Sequence, residues 1–307
     1  FEDGEAFVLW AAQPWADCGI APGGMVTRAW LGQAAPGLPA AGFVTVTGQP
    51  AQTVALHAAL GFMGMNGSLD VLLARGRTVA EAQRNLAAAR AIANTELMRK
   101  RAADGAFWAA APRLAGDWPA YWRRGLVYDL ETLRMMVKPP VGIYLHRWDA
   151  MQLHAPRVVL AEAAIDALLL GYADAATAQE LLLGTFLDAP APNVPCSRED
   201  GSFNMVAADG TVCGTAPAWG CPWLVAAWLW QLQPDRQWLA QLYPPMAAYL
   251  RWWLAERRSA DGGLFYACSW ESGQDDSSRF GTQPLGGGHP VRHIRPADLH
   301  AAFAHDE

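Results

Sequence analysis

The segment 268–280 holds the densest group of carboxylates in the chain. Glu271, Asp275 and Asp276 fall within six residues, beside the apolar ring of Trp270. Like charges at this spacing raise one another's pKa, and apolar neighbours raise it further by desolvation. A carboxylic acid that stays protonated near neutral pH can protonate the leaving oxygen of a glycoside. The segment therefore favours acid catalysis by one of these groups.

A structural role is the alternative for the same residues. Asp and Ser are preferred at helix N-caps, so Asp275, Asp276 or Ser277 could begin a helix. Arg279 would then neutralise the local negative charge. The residue types alone leave both interpretations open.

A second loop, 142–152, combines a flat aromatic ring with polar side chains that can bind hydroxyl groups. Its candidate substrate-binding residues are Arg147, Trp148, Asp149 and Gln152. The structural alternative is that Asp149 is a buried partner of Arg147 or Arg157.

A third loop, 193–204, offers Arg198 and Glu199 as further binding candidates, because Pro192 and Pro195 stiffen the chain before them. The run Glu199-Asp200-Gly201 could instead form a surface turn, since Asp-Gly is a strong turn signal.

Other chemistries lack their motifs. The sequence has no HExxH, no GxxxxGK[ST], no GxSxG and no GxGxxG after a predicted strand. His289, His293 and His300 have spacings unlike any zinc signature. We therefore predict neither a metal ion nor an organic cofactor.

The composition limits the partners. A formal charge of -6 disfavours a nucleic-acid surface, which needs clustered Lys and Arg. No apolar run reaches the ~18 residues of a membrane span. The 15 Trp residues suit either a packed core or the stacking of sugar rings. A neutral, mildly polar ligand is the expected partner.

The five cysteines form an odd set without a CxxC pair. Reduced thiols are therefore expected rather than a disulfide framework, and this favours the cytoplasm. The compartment itself is left open, because export is compatible with a sequence that begins at Phe1 rather than Met.

Hydrophobic patterning divides the chain into three parts. Short strands are predicted at 6–12, 42–47 and 53–62, bounded by Gly and Pro. An Ala-rich helix over 79–101, with Thr78 as its N-cap, reads as a connector. The predicted domains are a partial β-rich domain at 1–76, a linker helix at 77–104 and a helical domain at 105–307.

The third part alternates helices with long loops. Helices are predicted over 120–136, 156–172, 175–187, 219–232 and 236–258. The loops 138–155, 188–218 and 259–290 are too aromatic for disorder, and loops of that length in a compact domain tend to be functional. Helical hairpins packed side by side into a toroid would gather these loops around one pocket.

The stretch Ser-Trp-Glu-Ser-Gly-Gln-Asp-Asp-Ser-Ser-Arg-Phe at 269–280 resembles the signature of trehalase-like six-hairpin glycosidases. It is most similar to glycoside hydrolase family 63 and the mannosylglycerate hydrolase-type enzymes, whose pattern is W-E-S-G-x-D-[ND]-S-x-R-[WF]. Every constrained position is met. Arg147-Trp148-Asp149 resembles an aromatic-Trp-Asp loop of the same superfamily, with Arg147 in place of the usual aromatic residue. The resemblance covers about residues 105–307.

The resemblance implies a mainly α fold, an (α/α)6 toroid that is incomplete in this chain and preceded by a small β-rich, sandwich-like domain. It assigns the general acid to Asp275. Glu271 would shape the sugar pocket or tune the acid, and Trp148 and Asp149 would line it. The general base of the family is a Glu well C-terminal to the motif, which places it beyond residue 307.

The function expected on this basis is an inverting, exo-acting hydrolase of α-linked glucosides or related sugars. Trp148, Trp270 and Arg198 would help to hold the ring, and an oligosaccharide or glycoside would be the partner. Two alternatives stay open: a non-catalytic carbohydrate-binding or scaffold toroid, and a phosphorylase or lyase relative.

Overall fold

The computed structural model describes residues 6–11, 15–22, 54–60, 71–76, 78–151, 156–281, 288 and 290–306. The chain divides into two compact units, Phe1–Ala103 and Asp104–Glu307. The described part is mainly helical, with seven α-helices and six strands.

Four strands in the first unit form two antiparallel pairs. Strand β1 (Ala6–Ala11) pairs with β4 (Val71–Gly76), and β2 (Trp15–Pro22) pairs with β3 (Val54–Leu60). The strands predicted near β1 and β3 are confirmed. The one predicted at 42–47 lies outside the described residues, and the sandwich-like arrangement stays a prediction.

Helix α1 spans Val79–Ala110. The hydroxyl of Thr78 accepts a hydrogen bond from the backbone N–H of Glu81 at 3.2 Å, which is the predicted N-cap. The helix runs beyond the predicted residue 101, because Phe107 lies in the hydrophobic core of the second unit. Burial of that side chain stabilises the last turns.

The second unit contains the other helices. They are α2 (Ala120–Met136), α3 (Leu160–Leu170), α4 (Ala175–Leu187), α5 (Pro222–Leu232), α6 (Arg236–Glu256) and α7 (Ala297–Asp306). Two-residue strands β5 (Val137–Lys138) and β6 (Trp148–Asp149) pair antiparallel. Helix α3 packs against α4 and α5, and α4 packs against α6. These contacts form one core, and the toroid stays a prediction.

Local signals fix several helix ends. Asp174 accepts a bond from the N–H of Thr177 at 3.0 Å and begins α4, which gives the predicted tight connection to α3. Asp235 caps α6 in the same way through Gln237, at 2.8 Å. Because these caps satisfy N–H groups that have no partner inside a helix, the boundaries follow from sequence.

Two helices begin later than predicted. Helix α3 begins at Leu160 rather than 156, because Val158 is extended and pairs with Ser197. Helix α5 begins at Pro222 rather than 219, because Cys221 has φ +43° and Pro222 suits the first helical position. Both shifts move residues from helices into the loops that form the site.

One expectation about the cysteines is wrong. Cys213 and Cys268 form a disulfide bond, 55 residues apart in sequence, whereas Cys196 is a buried thiol. An odd number of cysteines does not preclude one pair, and so distant a pair leaves no local spacing signature. Disulfides are rare in reducing compartments, so the preference for the cytoplasm, which rested on reduced thiols, loses its basis.

Candidate active site

A cleft of about 310 Å³ lies in the second unit. Its lining includes Arg157, Glu162, Asn204, Met205, Trp219, Trp270, Gly273 and Asp275. These residues come from the segment before α3, the first turn of α3, the connection between α4 and α5, and the connection between α6 and α7. The cleft therefore depends on loops that the helical core holds together.

Asp275 follows a 3-10 helix at Ser269–Ser272. Gly273 ends that helix in the left-handed region, with φ +69°, and the Ser272 hydroxyl accepts a bond from the N–H of Gln274 at 3.0 Å. This turn brings Asp275 to the cleft. Partial burial raises the pKa of the Asp275 carboxyl, and the negative charge of Asp276 raises it further.

Two tryptophans, Trp270 and Trp219, provide the aromatic surface of the cleft. Each packs on glycine backbone: a Cβ on Gly273 would lie 2.4 Å from the Trp219 ring, and one on Gly288 would lie 2.8 Å from the Trp270 ring. Any larger residue at these glycines would displace a ring. The two indoles are therefore held in place by close backbone contact.

Glu162 is a second carboxyl group on the cleft, in the first turn of α3. Burial raises its pKa to about 7, and the charges of Asp166 and Asp275 contribute to the increase. Its Oε2 atom is buried and has no hydrogen-bond partner among the described residues. Glu162 and Asp275 thus interact electrostatically within one cleft.

Residues 221–300 match the family model of the mannosylglycerate hydrolase MGH1-like glycoside hydrolase domain. The chain is related to these glycosidases. The matched segment includes both Trp270 and Asp275, so the resemblance of the 269–280 motif is confirmed. Comparison with curated proteins finds no significant match.

In this glycosidase relative, Glu271 belongs to the 3-10 helix that precedes Asp275. It is completely buried and forms an ion pair with Arg257, with the Nη2–Oε1 distance at 2.8 Å and a bond from Nε at 3.1 Å to the same oxygen. The backbone N–H of Ala267 donates to its other oxygen at 2.6 Å. These contacts fix the loop from inside, and direct substrate contact by Glu271 stays a prediction.

Trp148 also lies in the interior, 4% exposed. It stacks on Tyr144 with ring centroids 4.7 Å apart, and its Nε1 donates to the carbonyl of Pro139 at 3.0 Å. The ring belongs to a small cluster that supports the loop before α3. Its predicted contact with a sugar would require a face that is covered in this structure.

Asp149 is completely buried, and neither carboxyl oxygen has a hydrogen-bond partner among the described residues. Burial raises its pKa to about 8, with smaller contributions from the charges of Asp166 and Glu162. The alternative of an ion pair with Arg147 or Arg157 is not seen in the described contacts. Asp149 is therefore expected to be protonated at neutral pH.

The remaining predicted binding residues are spread along the loops. Arg147 donates to the Thr177 hydroxyl at 2.7 Å, on α4. Arg198 donates to Asn204 at 3.0 Å, and Asn204 lines the cleft. Arg198 therefore contacts a cleft residue without being among the lining residues itself. Gln152 lies outside the described residues.

The predicted turn at 199–201 is present. Gly201 has φ +83°, and Asp200 accepts a bond from the N–H of Ser202 at 2.8 Å. The carbonyl of Glu199 accepts a bond from the N–H of Ile143 at 2.9 Å, which joins the second and third loops. The side chain of Glu199 has no assigned part in the cleft.

The capping alternative applies to Ser277. Its hydroxyl accepts a bond from the N–H of Arg279 at 3.4 Å and begins a 3-10 helix at Ser278–Phe280. The Arg279 guanidinium donates to Asp298 of α7 at 3.0 Å, so it is paired with that residue rather than with Asp275 or Asp276. Asp275 is left available for chemistry.

Three cleft residues were not predicted from the sequence, namely Trp219, Glu162 and Asn204, and Arg157 was expected only as a partner for Asp149. Trp219 could have been predicted from the sequence, because a large apolar side chain beside a Gly at the end of a long loop is unfavourable in a turn that faces solvent. Glu162 could not have been, because a Glu in a first helical turn is ordinary.

The described residues contain no group of three or more His, Cys, Asp or Glu side chains that could hold a metal ion. Among the described helices, none has the length and apolarity needed to cross a bilayer.

Proposed function

We propose that this chain carries the acid catalyst of an inverting, exo-acting glycoside hydrolase for α-linked glucosides or related sugars, with Asp275 as the general acid. The observation that carries the proposal is the position of Asp275 beside Trp270 in a cleft, within the segment that matches a glycoside hydrolase family. The cleft volume lies at the small end of the ligand-site range of about 300–1,000 Å³, which suits a single terminal ring.

In this proposal, Asp275 gives its proton to the glycosidic oxygen as the bond to the anomeric carbon breaks. Water attacks the opposite face of that carbon and transfers a proton to a carboxylate base. The resemblance implies that this base is a Glu well C-terminal to the 269–280 motif. No cofactor is needed, because one carboxylic acid and one carboxylate balance both proton transfers.

The raised pKa of Asp275 supports this role. Only the protonated acid can donate, so raising its pKa extends the active pH range upward. Partial burial and the charge of Asp276 are the causes of the increase. The decline of kcat/KM on the alkaline side should therefore report the ionisation of Asp275.

The test compares Asp275→Asn with its neighbour Asp276→Asn in the full-length protein. Loss of a general acid costs about 10²–10⁴ in rate. We expect that loss for Asp275→Asn with natural glucosides, and much less with glycosyl fluorides, whose leaving group needs little protonation. Asp276→Asn should keep activity and move the alkaline limit of kcat/KM to lower pH.

Equal losses for glucosides and fluorides in Asp275→Asn would contradict an acid role. If the complete protein binds sugars with no turnover of any glycoside, and Asp275→Asn binds them equally well, a binding toroid replaces the hydrolase. Consumption of phosphate during turnover would indicate a phosphorylase.

A further inference from the structure

Two polar atoms on the cleft lack partners. Oε2 of Glu162 and Nε of Arg157 are both buried, and neither has a hydrogen-bond partner among the described residues. Leaving such a group unpaired carries a desolvation penalty. A ligand that supplies both partners at once would remove both costs.

The backbone holds both residues in place. The N–H of Val158 donates to the carbonyl of Ser197 at 2.9 Å, and the N–H of Met151 donates to the carbonyl of Arg157 at 3.1 Å. Arg157 therefore lies on a braced, extended segment rather than on a free loop.

Glu162 is equally constrained by the start of α3. A Cβ on Gly220 would lie only 2.4 Å from the Cα of Ala161, so the first turn of α3 packs directly on the loop that carries Trp219. Glu162 and the aromatic surface of the cleft are thus fixed relative to each other.

The two groups complement a hydroxyl. The guanidinium only donates, and the carboxyl oxygen accepts, whereas a hydroxyl group does both. The cleft has two carboxyl groups, Glu162 and Asp275, and one guanidinium, Arg157. When Asp275 is protonated, as the acid role requires, and Glu162 is ionised, the charges of Glu162 and Arg157 offset each other, which favours a neutral, hydroxyl-rich ligand.

We infer that Glu162 and Arg157 form a hydroxyl-binding subsite for the sugar ring that lies against Trp270 and Trp219, and that this pair selects which hydroxyl arrangement is accepted. The inference rests on the proposed function for its ligand class. It assigns Glu162 to binding and not to the activation of water.

The experiment measures binding by isothermal titration calorimetry, using the full chain, methyl α-D-glucoside and each of its monodeoxy analogues. Glu162→Ala and Arg157→Gln should each weaken binding of the parent glucoside by about tenfold or more, which corresponds to roughly 1.4 kcal/mol. Asp166→Asn is the matched control, because it removes another half-buried carboxyl from α3 that does not line the cleft.

The analogues separate a contact from a folding defect. In the wild type, one or two deoxy analogues should bind as weakly as the parent does in Glu162→Ala. In Glu162→Ala, those same analogues should show no additional loss, since the contact is already gone. Glu162→Gln, which keeps an acceptor oxygen, should restore part of the affinity.

Unchanged affinity in both variants, an equal loss for the parent and every analogue, or failure of the wild type to bind any of these sugars would overturn the subsite. A base role for Glu162 would appear as lost turnover with unchanged affinity, and would also overturn it. If sugar binding depends on Trp270 but not on Glu162 or Arg157, this inference is wrong and the hydrolase proposal still stands. Failure of that proposal would appear separately, as unimpaired glucoside turnover in Asp275→Asn.

Discussion

Asp149 and Asp275 are the same residue type in opposite surroundings. Asp149 is enclosed in the interior without a described partner, whereas Asp275 lies on the cleft, accessible to solvent and only partly buried. Burial raises the pKa of both. In Asp149 the increase is a cost to folding at neutral pH, and in Asp275 it keeps a proton available for transfer.

The raised pKa of Asp149 makes the free energy of unfolding depend on pH in a definite direction. Its pKa is about 8 in the folded chain and about 3.9 when unfolded. Between these values the folded state holds a proton that the unfolded state releases, so stability falls as pH rises through that window. Below about pH 4 both states are protonated and the penalty is absent.

Asp149→Asn should remove this dependence, because the amide has a similar shape and does not ionise. The difference in free energy of unfolding between the variant and the wild type should be about 2–4 kcal/mol larger at about pH 8 than at about pH 5. This figure takes roughly 1.4 kcal/mol per pKa unit and subtracts an allowance for relaxation. Urea unfolding at the two pH values measures it.

The matched control for this prediction is Asp200→Asn, on an exposed turn. Hydrogen bonds with Ser202 lower the pKa of Asp200, so that carboxylate is ionised throughout the window. It should show no comparable change. A stability difference between Asp149→Asn and wild type that is the same at both pH values would refute the buried ionisation.

Residue types predicted the chemistry of short motifs better than the direction of their side chains. Trp270 and Asp275 line the cleft as expected, but Trp148 and Asp149 lie in the interior. Both are buried because Trp148 stacks on Tyr144 and donates to the carbonyl of Pro139, and Tyr144 in turn donates to the carbonyl of Ser197. Sequence spacing carries no such information.

At the scale of elements, the Cys213–Cys268 disulfide joins two parts of the cleft wall. Cys268 immediately precedes the 3-10 helix that carries Trp270, and Cys213 packs in one cluster with Met205 and Trp270. The N–H of Cys213 also donates to the carbonyl of Met205 at 2.9 Å. The disulfide bond therefore holds the loop of Asn204 and Met205 against the segment that carries Trp270.

Replacing Cys213 with Ser should reduce the free energy of unfolding by about 2–4 kcal/mol, because the unfolded chain regains the freedom of a long loop. Sugar affinity should also fall, since one wall of the cleft loosens. Thermal unfolding and calorimetry measure both effects.

Alkylation in denaturant with mass spectrometry provides the control for that disulfide, because both cysteines are buried in the folded chain. In denaturant, Cys213 and Cys268 should resist labelling until a reductant is added, whereas the thiols of Cys196 and Cys221 should react at once. Labelling of Cys268 in the unreduced protein would show that the bond does not form.

Helix existence followed from periodicity, and helix ends followed where a cap was present. Asp174 and Asp235 mark their helices correctly, because a cap is a local hydrogen bond. The starts of α3 and α5 were missed because distant partners decide them: Val158 pairs with Ser197, and the loop before Pro222 packs on Ala161. Non-local contacts overrule local preference at these ends.

For the whole molecule, the six helices of the second unit share one core, and the cleft opens among their connecting loops. The ring of helical hairpins, in which loops from one end would form the pocket, stays a prediction. The chain divides into two compact units between Ala103 and Asp104. The roles of the N-terminal strands and of α1 as a connector stay predictions.

The central claim is that Asp275 keeps its proton in the cleft above the pH at which an ordinary aspartate ionises. Carboxyl ¹³C NMR of the aspartate-labelled chain, titrated with pH and assigned by the signal missing from Asp275→Asn, tests it directly. We predict a midpoint above the ordinary Asp value of about 3.9, moving down in Asp276→Asn. A midpoint at or below that value, unaffected by Asp276→Asn, would contradict the account.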